Sequence, residues 1–342
     1  KTSDHEQRYI RAYAASQERK EDEFTRIMEG LLDRYPDDVE AKLLVARSGA
    51  PYAHTMLKSI LHEYPDNAAA NHYWIHAMEG SEHPEWALES AENLGKLAPA
   101  SGHMVHMPGH IFYRLGDYER ARQIFLASLR VDQDYLAKQH VAVRDDWNYG
   151  HNISYLIADC AEEGRYTEAR EHARALMGLA ADPDGSVSPW RSVLQIGSTE
   201  ERLAIRFANW DDAIEHPMQF GVPEEKVSAW ARAYRDGLIE YARGMKAAES
   251  NLVSEGEEHA NRLDALLWRL SQEQLEDRDK AGRGQVLKIL GTASLELRGN
   301  LASHQGEYKA SRKLLERADQ KEKEIGYACL LYTSPSPRDR QK

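Results

Sequence analysis

Histidines are concentrated in two short segments of the chain, NHYWIHAME and GHMVHMPGHIFYRLG. Each segment carries a pair separated by four residues, and the second pair follows the first by 34: His72 and His76, then His106 and His110. Residues four apart lie on one face of a helix, with Cβ atoms about 5–6 Å apart. Neutral imidazole binds zinc, copper, iron and nickel, and two pairs from adjacent helices can complete a four-coordinate site. We therefore predict that these four histidines bind a transition metal ion, either copper, zinc or iron.

Four further residues are expected either to join the ligands or to orient them: His103, His151, Glu79 and Tyr113. His103 precedes His106 by three residues, and His151 aligns with His103 if 14 residues are inserted between the two repeats. Glu79 and Tyr113 follow a predicted ligand by one helical turn, where they can hold an imidazole or transfer a proton. No catalytic residue is assigned. If the site is an enzyme, its metal would act as a Lewis acid, a water activator or a redox centre.

Pro108 lies between the histidines of the second segment and leaves two interpretations of that segment open. Inside a helix, proline removes a hydrogen bond and costs about 3 kcal/mol, whereas in the first turn it costs little. A helix that spans the whole segment keeps His103 on the same face as His106 and His110. A helix that begins at Pro108 leaves HMVH extended and moves His103 away.

The elements that position these residues follow a period of 34. Ala53, Ala87 and Ala121 are equally spaced, and a period of 34 with small residues at helix crossings is typical of tetratricopeptide (TPR) repeats. LGDYERA and EGRYTEA share Gly-x-Tyr-x-x-Ala, with further candidate turns at ANWDDA and QGEYKAS. We predict an all-α, TPR-like α-solenoid of helix–turn–helix repeats. The first helices of two repeats are expected from about Ala68 and Gly102, with the histidines lining the concave groove.

Looser connections are expected in four stretches: residues 133–150, 181–192, 216–223 and 272–284. The stretch CLLYTSPSPRDRQK differs abruptly in composition from the rest and resembles the translation of a sequencing adapter. We therefore expect a helical repeat domain over residues 1–328, truncated at its carboxyl end, and a non-native disordered tail over residues 329–342.

Composition excludes several classes of protein. The net charge of −12 argues against nucleic acid as a main partner, and no apolar run approaches the length of a membrane span. The sequence is expected to be soluble, and composition assigns no compartment. It contains no nucleotide-binding glycine loop and no G-x-S-x-G motif.

Cys160 and eight further histidines are predicted to have no role in a functional site. Cys160 lies on an apolar stripe and is predicted to be a core residue rather than a nucleophile. Eight histidines have no partner pattern and are predicted to lie at the surface: His5, His54, His62, His83, His172, His216, His259 and His304.

The two histidine segments, together with EHPEWALESAENLGKLAP, resemble a group of bacterial TPR proteins that carry HYxIHxxE and HxxHMPxHIxxRLGxY. The histidines and the glutamate of these motifs are all present in this chain, at His72, His76, Glu79, His103, His106 and His110. WNYGHNISYL resembles the group's YPHNxHFL and retains His151 and Asn152, but it has Ser154 where a second histidine is expected. The resemblance implies a TPR fold and a protein of the bacterial cytoplasm or periplasm, and it implies no reaction.

The sequence therefore supports two alternative functions. The first is a metal-binding solenoid with a histidine-rich groove, with an enzymatic role for the metal left open. The alternative is a metal-free TPR scaffold that binds a protein or peptide in the groove, where the negative charge would favour a basic ligand.

Overall fold

All secondary structure is helical in the part of the chain that the computed structural model describes. The described residues are 2–47, 52–180, 197–220, 223–274 and 277–325. The chain divides into two compact units, Lys1–Asp132 and Gln133–Lys342. No described helix is both long enough and apolar enough to cross a lipid bilayer.

Over its described residues, the first unit contains seven α-helices and most of an eighth. They are α1 (Asp4–Gln17), α2 (Glu21–Leu32), α3 (Val39–Arg47), α4 (Ala53–Glu63), α5 (Ala68–Glu79), α6 (Leu88–Leu97), α7 (Gly102–Arg114) and α8 (Tyr118–Gln139). Its amino-terminal core is formed by residues such as Met28, Leu31 and Val45, which have no solvent exposure. Helices α5 and α7 begin at Ala68 and Gly102, as predicted from the repeat.

The second unit contains the other α-helices that the structure describes. They are α9 (Trp147–Glu162), α10 (Tyr166–Ala180), α11 (Thr199–Arg206), α12 (Trp210–Glu215), α13 (Ala229–Glu249), α14 (Val253–Gln272), α15 (Asp277–His304) and α16 (Tyr308–Ile325). Its core is built around the large side chains of Trp230, Tyr234 and Tyr241, each almost fully buried.

The four candidate turns all join pairs of consecutive helices. Gly116, Gly164 and Gly306 occupy the left-handed region at φ of 79°, 76° and 78°, and Ala208 takes the same place in the fourth turn at 53°. Glycine reaches this region without the steric cost of a Cβ atom, which explains its recurrence at three of the four turns. The predicted helix–turn–helix repeat is therefore confirmed.

The evenly spaced alanines lie where helices pack closely. Ala53, Ala87 and Ala121 are at most 6% exposed, and Ala169 and Ala213 of later repeats are fully buried. A methyl side chain at these positions lets paired helices approach each other, as expected for TPR-like units.

Two of the four expected connections are more helical than predicted. Helix α8 continues to Gln139 because Leu136, 5% exposed, extends its apolar stripe, and α15 already begins at Asp277. Residues 216–220 are non-helical, as expected. The predicted connection at 181–192 and the predicted tail at 329–342 lie outside the described residues.

Candidate metal centre

The histidine-bearing helices α5 and α7 each begin at a side-chain cap. The Asn67 side-chain oxygen accepts the Ala70 N–H at 2.9 Å at the start of α5, and the Ser101 hydroxyl faces the Met104 N–H at 3.5 Å at the start of α7. Such caps satisfy backbone donors that have no helical partner. Helices α5 and α7 pack against each other within the first unit.

Helix α7 is continuous from Gly102 to Arg114, with Pro108 in its interior. Proline has no N–H to donate to the Met104 carbonyl, so one helical hydrogen bond is missing beside the histidines. The interpretation in which the helix starts at Pro108 is therefore wrong. The cap at Ser101 and the burial of this segment outweigh the cost of the proline, and they keep His103 on the helix.

Close packing against α8 holds the buried face of α7. A Cβ atom at Gly109 would lie only 2.3 Å from the Phe125 ring, so only glycine permits this approach. The Phe125 ring also contacts the His106 ring, with centroids 4.9 Å apart. His106 and His110 are 0% and 2% exposed, and the packing around them restricts both imidazoles.

Three histidines from the two helices converge in one group. The Nε2 atoms of His72 and His103 are 3.0 Å apart, and one ligand nitrogen from each of His72, His76 and His103 lies within 4.8 Å of the others. His103 was predicted only as an additional ligand or a neighbour of the ligands, yet it is one of the three members of this group. We refer to His72, His76 and His103 as the three-histidine group.

His106 and His110 form a separate, buried pair on α7. Their Nε2 atoms are 2.9 Å apart, and their rings meet edge to face with centroids 4.7 Å apart. The pair adjoins the three-histidine group, because the rings of His103 and His106 are stacked at 6.3 Å. The predicted set of four histidines is thus distributed over two adjacent groups.

Glu79 links the two groups. Its Oε1 lies 2.7 Å from Nδ1 of His76, and its Oε2 lies 2.7 Å from Nδ1 of His110. A carboxylate only accepts hydrogen bonds, so both Nδ1 atoms must carry the proton. The Nε2 atoms of His76 and His110 then present their lone pairs, which is the tautomer that carboxylates impose on metal-binding histidines.

The site also shifts the pKa values of its own groups. Burial, reinforced by His76 and His103 nearby, lowers the pKa of His72 to about 3, so this imidazole is neutral at physiological pH. Burial acts to raise the pKa of Glu79, but hydrogen bonds from His110 and His76 outweigh it and lower that pKa to about 2. The site therefore combines an ionised carboxylate with a neutral imidazole, as metal ligation requires.

Tyr113 and His151 are the remaining predicted residues. Tyr113 is 7% exposed and packs edge to face against Tyr118, one turn beyond His110. His151 belongs to the second unit, where it contacts Tyr155 near the start of α9. The role of either residue toward a metal stays a prediction.

The prediction that eight further histidines lie at the surface is wrong for His259. His259 is 7% exposed, and its Nδ1 lies 2.7 Å from a carboxylate oxygen of Glu240. That hydrogen bond satisfies the buried imidazole, and it joins residues 19 apart, so local spacing gave no signal. His172 and His5 are partly buried.

Solved structures with similarity to this chain include a TPR domain. The TPR domain in the crystal structure of P58(IPK) aligns with 94% of this chain and 99% of its own, at 12% identity and a TM-score of 0.25. No protein-family model and no curated protein matches the sequence. The assignment to TPR-like helical repeats rests on the 34-residue period and on the helix pairs themselves.

Proposed function

We propose that the first unit binds a transition metal ion through the imidazoles of α5 and α7. The observation that carries this proposal is the three-histidine group, in which one nitrogen from each of three side chains lies within 4.8 Å of the others. Three imidazoles leave at least one coordination position of a four-coordinate ion for water, for a substrate or for a further protein ligand. An enzymatic role is an extension of this proposal and needs such an open position.

Distances support chelation. Two nitrogens bound to one tetrahedral ion at 2.0–2.1 Å are about 3.3 Å apart. The Nε2 atoms of His72 and His103 are 3.0 Å apart, so a few tenths of an ångström of side-chain movement would admit an ion. The Nε2 atoms of the His106–His110 pair, 2.9 Å apart, are equally close to this separation.

The ligand chemistry favours copper, zinc or iron. Imidazole is a good ligand for these ions, whereas magnesium and calcium prefer oxygen ligands. Glu79 contributes oxygen, but both of its oxygens face Nδ1 atoms of histidines. We therefore assign Glu79 to the orientation of His76 and His110, not to the metal itself.

Elemental analysis of purified protein tests the proposal. We expect stoichiometric copper, zinc or iron in the wild type, and one equivalent less of that metal in a His72→Ala, His103→Ala double variant. A His106→Ala, His110→Ala variant reports whether the buried pair holds part of the same ion. His304→Ala, which removes an exposed histidine of the second unit, serves as the matched control and should retain the metal.

The alternative is a metal-free scaffold for a protein or peptide. TPR-like repeats commonly present extended binding surfaces, and the imidazoles can satisfy each other by hydrogen bonds without an ion. If reconstituted wild type and the double variant contain equal amounts of metal, the metal proposal fails and this alternative takes its place. Basic peptides are then the first ligands to screen, because the chain carries a net charge of −12.

A further inference from the structure

A second group of metal-ligand types lies in the second unit, on the hairpin formed by α9 and α10. Cys160 is on the last turn of α9, and Glu168 and His172 are on α10. One ligand atom from each of the three side chains lies within 4.8 Å of the others. None of these residues belongs to the histidine segments of the first unit.

The hairpin itself brings the three residues together. Gly164, at φ of 76°, allows a short turn, and the Arg165 N–H donates to the Cys160 carbonyl at 2.8 Å. Glu168 and His172 are four residues apart and share one face of α10. Ala169, fully buried, lets α10 approach α9 closely. The position of the group is therefore set by a single helix–turn–helix repeat.

We propose that this hairpin binds Zn²⁺ through the Cys160 thiolate, the His172 imidazole and the Glu168 carboxylate, with an exchangeable water in the fourth position. Zinc takes thiolate, imidazole and carboxylate ligands in tetrahedral sites, at about 2.3, 2.0–2.1 and 2.0–2.2 Å. Ligand atoms on one such ion are about 3.3–3.6 Å apart. Atoms already within 4.8 Å of one another reach that separation by small side-chain rotations.

The combination of donors selects the ion. A thiolate argues against magnesium and calcium, which take oxygen ligands. A carboxylate argues against Cu(I), which prefers sulfur ligands. Zinc accepts both, and its binding would replace the S–H bond of Cys160 by a Zn–S bond and release the thiol proton to solvent.

Burial and charge around the group are consistent with a site that is closed on one side. Cys160 is fully buried and forms no disulfide, whereas Glu168 and His172 are partly exposed. Oε2 of Glu168 lies 3.3 Å from Nη1 of Arg165, and this ion pair orients the carboxylate. A cysteine used only for core packing has no need of a carboxylate and an imidazole within reach of its sulfur.

Cobalt substitution tests the proposal in the 342-residue chain with Cys329 replaced by serine, so that Cys160 is the sole thiol. Co²⁺ is a spectroscopic substitute for zinc, and a Co–thiolate bond gives an intense near-ultraviolet charge-transfer band. We expect this band to saturate at one equivalent for the thiol site and to disappear when Zn²⁺ is added. The histidine groups of the first unit contain no thiolate and cannot produce it.

Variants separate loss of a ligand from loss of the fold. Cys160→Ser should abolish the band, and His172→Ala and Glu168→Gln, which keep the thiol, should weaken Co²⁺ binding at least tenfold with unchanged helical circular dichroism. His72→Ala, His103→Ala in the first unit is the matched control and should keep the band. Absence of the band in the parent protein with excess Co²⁺, or a band that His172→Ala and Glu168→Gln leave unchanged, overturns the proposal.

Discussion

Each unit contains a largely buried glutamate, and the two carboxyl groups have opposite protonation states at neutral pH. Glu79 in the first unit faces Nδ1 atoms of two histidines, and its pKa falls to about 2. Glu201 in the second unit is 2% exposed, and burial raises its pKa to about 8. One of its oxygens accepts the Met218 N–H at 3.3 Å.

The difference shows that partners decide the charge of a buried carboxylate. Two N–H donors stabilise the ionised form of Glu79 despite burial, whereas a single long backbone hydrogen bond does not do so for Glu201. The repeat scaffold is common to both units, so the local donors and not the fold determine this chemistry. The comparison also predicts that the two glutamates respond to pH in opposite directions.

The largest expected effect is on Glu201. Its folded pKa lies above the unfolded value of 4.5, so the folded state binds more protons between pH 4.5 and 8. This group therefore stabilises the fold most at acid pH, and its contribution falls by up to about 1.4 kcal/mol per pH unit as pH rises through that window. Glu201→Gln mimics the protonated form, and we expect it to exceed the wild type in unfolding free energy at pH 8.

Denaturant unfolding at pH 6, 7 and 8 measures this effect. The advantage of the variant over the wild type should grow with pH. Glu200→Gln is the matched control, since the neighbouring Glu200 is ion-paired with Arg170 and Arg174 and should not gain stability on neutralisation. A difference between wild type and Glu201→Gln that does not change with pH would show that Glu201 is already ionised.

Removal of the Glu79 carboxylate is expected to weaken metal binding about 10–100-fold, the range found when a group that orients a ligand is lost. The Glu79→Gln side chain has only one oxygen and can no longer accept hydrogen bonds from both Nδ1 atoms. The tautomers of His76 and His110 are then no longer both fixed. Competition against a chromophoric chelator measures the affinity. Glu82→Gln, an exposed residue three positions later, should bind metal as the wild type does.

Acid should destabilise the metal-free first unit. The folded pKa of His72, about 3, lies below the unfolded 6.5, and that of Glu79, about 2, lies below 4.5. In both cases the unfolded state binds more protons, so stability is complete above pH 6.5 and is lost as pH falls toward 3. Hydrogen exchange of α5 and α7 amides in chelator-treated protein, from pH 7 to 4.5, should show increasing local opening. His72→Asn, which has no titrating ring, should flatten this dependence.

The smallest expected effect is that of Asp236. Its negative charge contributes to the raised pKa of Glu201, and Arg235, with which it pairs, acts in the opposite direction. Asp236→Asn removes the negative charge that raises the pKa of Glu201, and it frees Arg235 from its ion pair so that Arg235 lowers that pKa more strongly. The pKa of Glu201 should therefore fall by a fraction of a unit. The carboxyl carbon-13 chemical shift of Glu201 as a function of pH reports this change. An upward shift would contradict the assigned signs.

Much of this architecture could be predicted from the sequence. The period of 34 located the starts of α5 and α7, and the turn motif located residues that adopt positive φ, because both depend on local residue choice. The contact between Glu79 and His76 could also be predicted, since Glu79 follows His76 by one helical turn. Its second contact, to His110, depends on how α5 packs against α7.

The features that escaped prediction depend on long-range packing. In TEER, Glu200 forms surface ion pairs and the next residue, Glu201, is buried, and nothing in a short acidic run separates the two. Cys160 was predicted to be a core residue and is buried, yet its approach to Glu168 and His172 needed the register of the α9–α10 hairpin. Sequence spacing identifies faces of helices, while the partner on the opposite helix comes from the three-dimensional packing.

The bridge formed by Glu79 has a consequence for how the repeats fold. In repeat proteins, stability is close to a sum of the intrinsic stability of each repeat and of nearest-neighbour interface energies. Glu79 contacts His76 within its own repeat and His110 in the following one, so its carboxylate contributes directly to one interface energy. Protonation of this carboxylate would lower the coupling between these two repeats, and an ion shared by α5 and α7 would raise it. Cooperativity of unfolding along this part of the array thus becomes adjustable by the same groups that form the candidate site.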